Sequence, residues 1–245
     1  MELEKSMIKR FAFSPTAISY LLAMLMLDSV ELYFALDSVK SIGLGIIWYS
    51  VAIILLLASL STGFSITLVY HSSALAYYLR FSKLKMYNYV MSLFLGAIVS
   101  TIIYSLVFTI FVAPLVTKVT LNQIYQVIKL SNIAQFIISV LISSFFILSL
   151  TFTITLTLLI KVGANASKYA NYIFFGLLVI SELSPSAPSP LNPFYEAENI
   201  ISYSLIHYSI SVYTIEVALL ALLLLFLGNL ALRKIRALRL EEVVW

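Results

Sequence analysis

Charged positions along the 245-residue chain are grouped, and between the groups lie long runs that are apolar or carry only hydroxyls. No Asp, Glu, Lys or Arg occurs between Lys40 and Arg80, Lys85 and Lys118, Lys129 and Lys161, or Glu216 and Arg233. A hydrocarbon core of about 30 Å asks for about 20 apolar residues in a helix, so these windows are long enough for membrane spans. The pattern predicts six spans, over about 13–36, 42–70, 88–114, 132–160, 169–181 and 208–232. The first ends at Leu27, or at Leu36 if it tilts and carries Asp28 and Glu31 in its outer half. The fifth is short and runs into the proline-rich stretch Ser184 to Pro193. Ahead of them Leu3, Met7 and Phe11 recur every four residues, while Glu2, Lys5 and Lys9 fall elsewhere. That start is either a short amphipathic helix (1–11) lying in the interface or a charged terminus.

Composition agrees with the pattern. Hydrophobic residues make up 62% of the chain, charged ones 11%, and the mean hydropathy is +1.03. A soluble domain of this length could not bury that much apolar surface. The expected fold is therefore all-α and integral to the membrane, with one transmembrane domain over 1–245. Lys and Arg set the orientation. With the amino terminus in the cytoplasm, twelve of the fifteen basic residues fall on the cytoplasmic side, and Lys40, Lys118 and Lys129 fall outside. An even number of spans follows, with both termini inside and the basic tail 233–245 cytoplasmic. The start has no apolar run ahead of a small-residue cleavage site, so the first span is expected to serve as the insertion signal.

Candidate chemistry is sparse. There is no cysteine, hence no disulfide and no thiolate metal site. The seven glycines form neither a GxxxxGK loop nor a GxGxxG turn, so nucleotide binding would have to reside on another chain. His71 and His207, the two histidines, are predicted on opposite sides of the membrane, so no His-based metal site is expected within one chain. Asp28, Glu31 and Asp37 could supply a carboxylate pair for acid–base work, but acidic residues in an outer loop are far more often a solvated face. Glu216 is the one carboxylate placed inside a predicted span. It is either functional, as intramembrane ionisable groups are by default, or it reaches the outer interface and pairs with Tyr208 or Tyr213. The hydroxyls Ser143, Ser144, Ser149, Thr151, Thr153, Thr155 and Thr157 either form interhelical hydrogen bonds or line a polar path, and packing is the expected role.

Two segments say more. In the cytoplasmic loop 71–87, Arg80 and Lys83 share one helical face while Leu75, Tyr78 and Leu79 share another, and Tyr77, Tyr78 and Phe81 are anchor residue types. This is a helix docking on a partner or an interfacial helix on anionic lipid. In 182–207, Pro185, Pro188 and Pro190 precede Leu191-Asn192-Pro193-Phe194-Tyr195. Prolines remove backbone donors, so the segment is a re-entrant hairpin enclosed by protein or a plain outer loop.

In organisation, over most of its length, the chain resembles the permease subunits of ABC transporters of the second exporter type. The points of likeness are the amino-terminal helix, the six spans, the helix between the second and third, the broken segment before the last, and the basic tail. Leu191-Asn192-Pro193-Phe194-Tyr195 resembles a run that commonly precedes the last span in that family. The Arg-Glu pair usual before the family's coupling helix is absent, with His71 and Ser72 near its place. The resemblance implies a permease that dimerises with a second copy or a paralogue and couples to a separate ATP-binding subunit. His71, Leu75, Tyr77, Tyr78, Arg80, Phe81 and Lys83 would contact the ATPase. Pro190, Asn192, Pro193 and Tyr195 would form the re-entrant motif. Tyr49, Thr62, Ser65, Tyr172 and Phe175, with Ser61 and Phe174, would line a path at the dimer seam. It implies no catalysis and no cofactor on this chain, with ATP and Mg on the partner ATPase. The partners it implies are that subunit and membrane lipids, not nucleic acid. The other classes open to such a chain are a stand-alone secondary transporter or channel, a membrane enzyme and a membrane assembly subunit.

Overall fold

The computed structural model describes residues 86–107, 130–166, 168–173, 193–207 and 212–237, with helical positions at 22, 26, 50, 53, 54, 57, 60, 61, 63–65, 68, 69 and 176. Among these residues every regular element is helical. The principal helices are α1 (Met86–Val107), α2 (Leu130–Val162), α3 (Pro193–His207) and α4 (Val212–Ala237). The 1–11 segment, most of the first predicted span, the 71–85 loop, residues 182–192 and the tail beyond 237 lie outside the described residues.

Central to the bundle is α2. Its 33 residues hold no proline or glycine, so nothing interrupts the ladder over a length of about 50 Å. Residues Ala134–Val162 of α2 and Val212–Leu232 of α4 are each long and apolar enough to cross a membrane. Their surroundings differ: 56% of the α2 span is buried inside the protein, against 22% of the α4 span. Along α4, Thr214, Val217, Ala221 and Leu232 are buried, whereas Ile215, Leu219, Leu223, Phe226 and Leu230 are exposed. About half of the α4 circumference is thus an uncovered wall of Leu, Ile and Phe, a surface stable against hydrocarbon and not against water.

Two apolar clusters give the helix directions. One gathers Ile53, Ile54 and Leu57 with Phe136, Val140, Phe146 and Ile147 of α2, Phe194, Ala197, Ile200 and Ile201 of α3, and Val217 and Ala221 of α4. The other gathers Phe64, Leu68 and Val69 with Leu93, Phe94 and Ala97 of α1, Leu148, Phe152, Leu156 and Leu159 of α2, and Leu232 of α4. Among the described helical positions between 50 and 69, in α2 and in α4, the lower numbers sit in the first cluster and the higher numbers in the second, so these three run parallel. The order in α1 is opposite: its early residues belong to the second cluster, and Tyr104 packs against the first. Because parallel neighbours cannot follow one another directly, the chain must cross back between them; α1 does so between the helical positions described within 50–69 and α2.

A second return begins at Gly163. Its φ of +59° is a left-handed conformation that ends α2 at negligible cost for glycine. A single 3-10 turn, Gly163–Asn165, follows, closed by the Ala166 N–H donating to the Gly163 carbonyl. Ala166 packs in the second cluster and Ala170 in the first, so the helix over 168–173 travels back antiparallel to α2.

What holds these helices is contact more than exclusion of water, since lipid tails are as apolar as the side chains. Most hydroxyls bond within their own helix: Ser100 to the Gly96 carbonyl, Thr101 to Ala97, Thr151 to Ile147 and Thr157 to Thr153. Others join helices. Ser65 Oγ and Thr155 Oγ1 share a hydrogen bond of 2.8 Å, and the Thr153 hydroxyl donates to the Leu224 carbonyl at 2.6 Å. Phe94 stands edge-on to both Phe64 (centroids 5.2 Å apart) and Phe152 (5.5 Å), tying the helical position at Phe64, α1 and α2 together. Phe94→Ala should therefore lower stability by about 2 kcal/mol, mostly through the unfilled cavity. Thermal unfolding in detergent checks this, with Leu95→Ala, at a 43% exposed position, expected to stay near wild type.

Candidate functional site

Polar groups collect at the end of the bundle marked by the first cluster, around α3. Pro193 opens this helix, where a missing N–H breaks no hydrogen bond, and Glu196 lies in its first turn, favourable to the helix dipole. At 15 residues, or about 22 Å, α3 is too short to cross a bilayer. Phe194, Ala197, Ile200, Ile201 and Ser204 form its buried face, spaced as one side of a helix. The Ser143 hydroxyl of α2 donates to the Ala197 carbonyl at 3.1 Å and pins α3 against the central helix.

On the edge of that buried face sits Glu198, 6% exposed. Ser202, one turn on, is also buried and spends its hydroxyl on the Glu198 backbone carbonyl at 3.0 Å, not on the carboxylate. Burial pushes the Glu198 carboxyl up to about 7, so near neutrality it holds its proton about half the time. Glu196, on another side of α3, is raised first by partial burial and then by the negative charge of Glu216 on α4. The same end of α2 supplies Gln135 and Ser139, and the first turn of α4 supplies Thr214. Their side-chain oxygens are buried without a hydrogen-bond partner among the described residues. The site offers a proton-holding carboxyl, a neighbouring pair of carboxylates and several unused acceptors. Among the described residues no group of three or more metal-ligating side chains converges.

The residues singled out from sequence fall as follows. Pro193 is the first residue of α3, and Tyr195 is half-buried in it. The segment 193–207, expected as re-entrant structure or outer loop, is a regular helix docked on α2. Glu216 is exposed on the α4 wall, one turn inside the Val212–Leu232 span. Ser65 is enclosed in the seam with α2 and bonded to Thr155, and Ser61 is buried. Tyr172 stands on the outside of the return helix, 62% exposed, so Ser65 and Tyr172 do not face a common space within one chain. His71, Leu75, Tyr77, Tyr78, Arg80, Phe81 and Lys83, and likewise Tyr49, Thr62, Phe174, Phe175, Pro190 and Asn192, lie outside the described residues.

Two residues escaped the sequence reading. Glu198 was passed over because its segment reads as polar and proline-broken. The spacing Phe194, Ala197, Ile201 carries the signal that a buried helix face passes beside it. Gly228 was one glycine among seven. A Cβ there would stand 2.5 Å from Phe152 Cδ1 and 2.7 Å from its Cε1, so the absence of a side chain sets how closely α4 approaches α2. Comparison with protein-family models, with curated proteins and with solved structures finds no match for this chain.

Proposed function

We propose that this chain is the membrane-embedded permease subunit of an ATP-driven exporter. It crosses the cell membrane six times with both termini in the cytoplasm, pairs with a second permease, and couples through 71–85 to a separate ATP-binding subunit that carries ATP and Mg. The observation that supports this reading best is the direction of the helices. The described helical positions between 50 and 69, α2 and α4 run parallel, α1 and the 168–173 helix run against them, and the short α3 precedes α4 at the end of the first cluster. A six-span chain whose second, fourth and sixth spans all descend has this order. Transport would follow from ATP-dependent movement of the 71–85 loop, which shifts an equilibrium between two arrangements of the spans only as far as they differ in affinity for the closed ATPase pair.

The buried Glu198 favours a second reading, a stand-alone proton-coupled transporter, since such a carrier needs an enclosed group that titrates near neutral pH. The two separate on the energy source. Purified from its native membrane, the chain should bring down a P-loop ATPase identifiable by mass spectrometry. Tyr78→Ala, Arg80→Ala and Phe81→Ala together should cut that recovery more than about tenfold, as expected for anchor residues. Uptake into vesicles driven by a proton gradient alone, with no ATPase recovered, would select the second reading.

A further inference from the structure

Where the chain reverses at Gly163, the last turns of α2 and the return helix leave an open apolar groove of about 380 Å³, lined by Leu158, Val162, Tyr169, Tyr172 and Ile173. We propose that this groove binds one acyl chain of an anionic phospholipid of the cytoplasmic leaflet, with Lys161 and Lys168 holding its phosphate. The assignment rests on the membrane orientation given above.

Volume and lining fit part of an amphiphile: the groove lies in the size range of small-molecule sites and its walls are hydrocarbon and tyrosine rings. Charge fits the rest. Lys161 stands in the last turn of α2 and Lys168 just ahead of Tyr169, both exposed, on either side of the reversal. The Lys168 ammonium lies 6.0 Å from the centre of the Tyr172 ring, which places a cation over one wall of the groove. No acidic residue occurs between Asp37 and Glu182, so the sequence supplies no nearby carboxylate on α1, on α2 or on the return helix to neutralise the two lysines. A cation over one wall of an apolar cleft, with a second lysine in the last turn of α2, matches a phosphate headgroup joined to a tail. Free phosphate would leave the cleft unused, and a zwitterionic lipid would leave the charge unmet.

The test uses the full chain in vesicles, with Trp48 and Trp245 changed to Phe and Tyr172→Trp as the fluorescent probe; Ile173→Trp is a second probe at the neighbouring, also exposed, wall position. Brominated phosphatidylglycerol and brominated phosphatidylcholine are titrated as quenchers. The anionic phosphatidylglycerol should quench at a mole fraction at least about fivefold lower, and Lys161→Gln with Lys168→Gln should bring the two curves together. Equal quenching by both lipids in the lysine-bearing protein overturns the site and leaves the membrane reading standing. Loss of the preference on adding soluble glycerol phosphate overturns the lipid in favour of a free phosphate. Quenching by neither lipid overturns the site together with the orientation on which it rests.

Discussion

Gly228→Leu should separate α4 from α2 and lower stability by about 3 kcal/mol or more, at the upper end of what overpacking costs. The reason is local and geometric. A β-carbon at 228 would already lie 2.5 Å from the Phe152 ring and 3.1 Å from Thr153 Oγ1. Phe152 cannot yield, because it is fully buried and held edge-on by Phe94 at 5.5 Å. The helix must move instead, and with it goes the Thr153 hydrogen bond to Leu224, one turn away. Small residues at such crossings let backbones approach, which is where packing between helices in lipid is strongest. Thermal unfolding in detergent reads the effect. Leu227→Ala, a change on the exposed wall of α4, should leave the midpoint unaltered, and a wild-type midpoint for Gly228→Leu would contradict the packing described.

Glu198→Gln should make the protein more stable at alkaline pH and nearly unchanged at acid pH. Burial raises the folded-state value to about 7 from an ordinary 4.5. Below pH 4.5 the carboxyl is protonated in both folded and unfolded chains, so it costs nothing. Between 4.5 and 7 the unfolded chain releases its proton while the folded one keeps it, and stability falls as pH rises. Above 7 the loss is complete and amounts to about 3 kcal/mol. The neutral glutamine has no such penalty. Glu196, shifted in the same direction by burial and by Glu216, leaves a shared background slope in both proteins. Thermal midpoints at pH 5, 6.5 and 8 should show the variant pulling ahead as pH rises. A constant gap at all three would mean that Glu198 does not titrate between them.

Much of the described fold is legible in the sequence because it depends on what is missing from it. The charge-free window between Lys129 and Lys161 contains no helix breaker, and α2 fills it from Leu130 to Val162. The short connection between the predicted spans 132–160 and 169–181 contains Gly163, the left-handed residue at which α2 ends. The hydroxyls of α2, expected to pack and to bridge helices, do both. Function-bearing detail was harder to read, since it depends on neighbours distant in the chain. Nothing near Gly228 in sequence announces that Phe152 stands opposite. Glu198 follows a proline-rich stretch whose polar character concealed the buried face of α3. Glu216 drew attention as the carboxylate within a span, yet it faces outward, and the enclosed carboxyl lies in the short helix before it.

The exporter reading stands or falls on contact between the 71–85 loop and an ATP-binding subunit. The chain has no cysteine, so a single one introduced by Tyr78→Cys gives an unambiguous cross-linking site. In native membranes, a cysteine-reactive photo-crosslinker at that position should join the chain to a P-loop ATPase, whereas the same reagent at Ser186→Cys, in the proline-rich stretch that the exporter reading puts on the opposite side, should not. Absence of any ATPase adduct from position 78, or an equal yield from 186, would contradict the account.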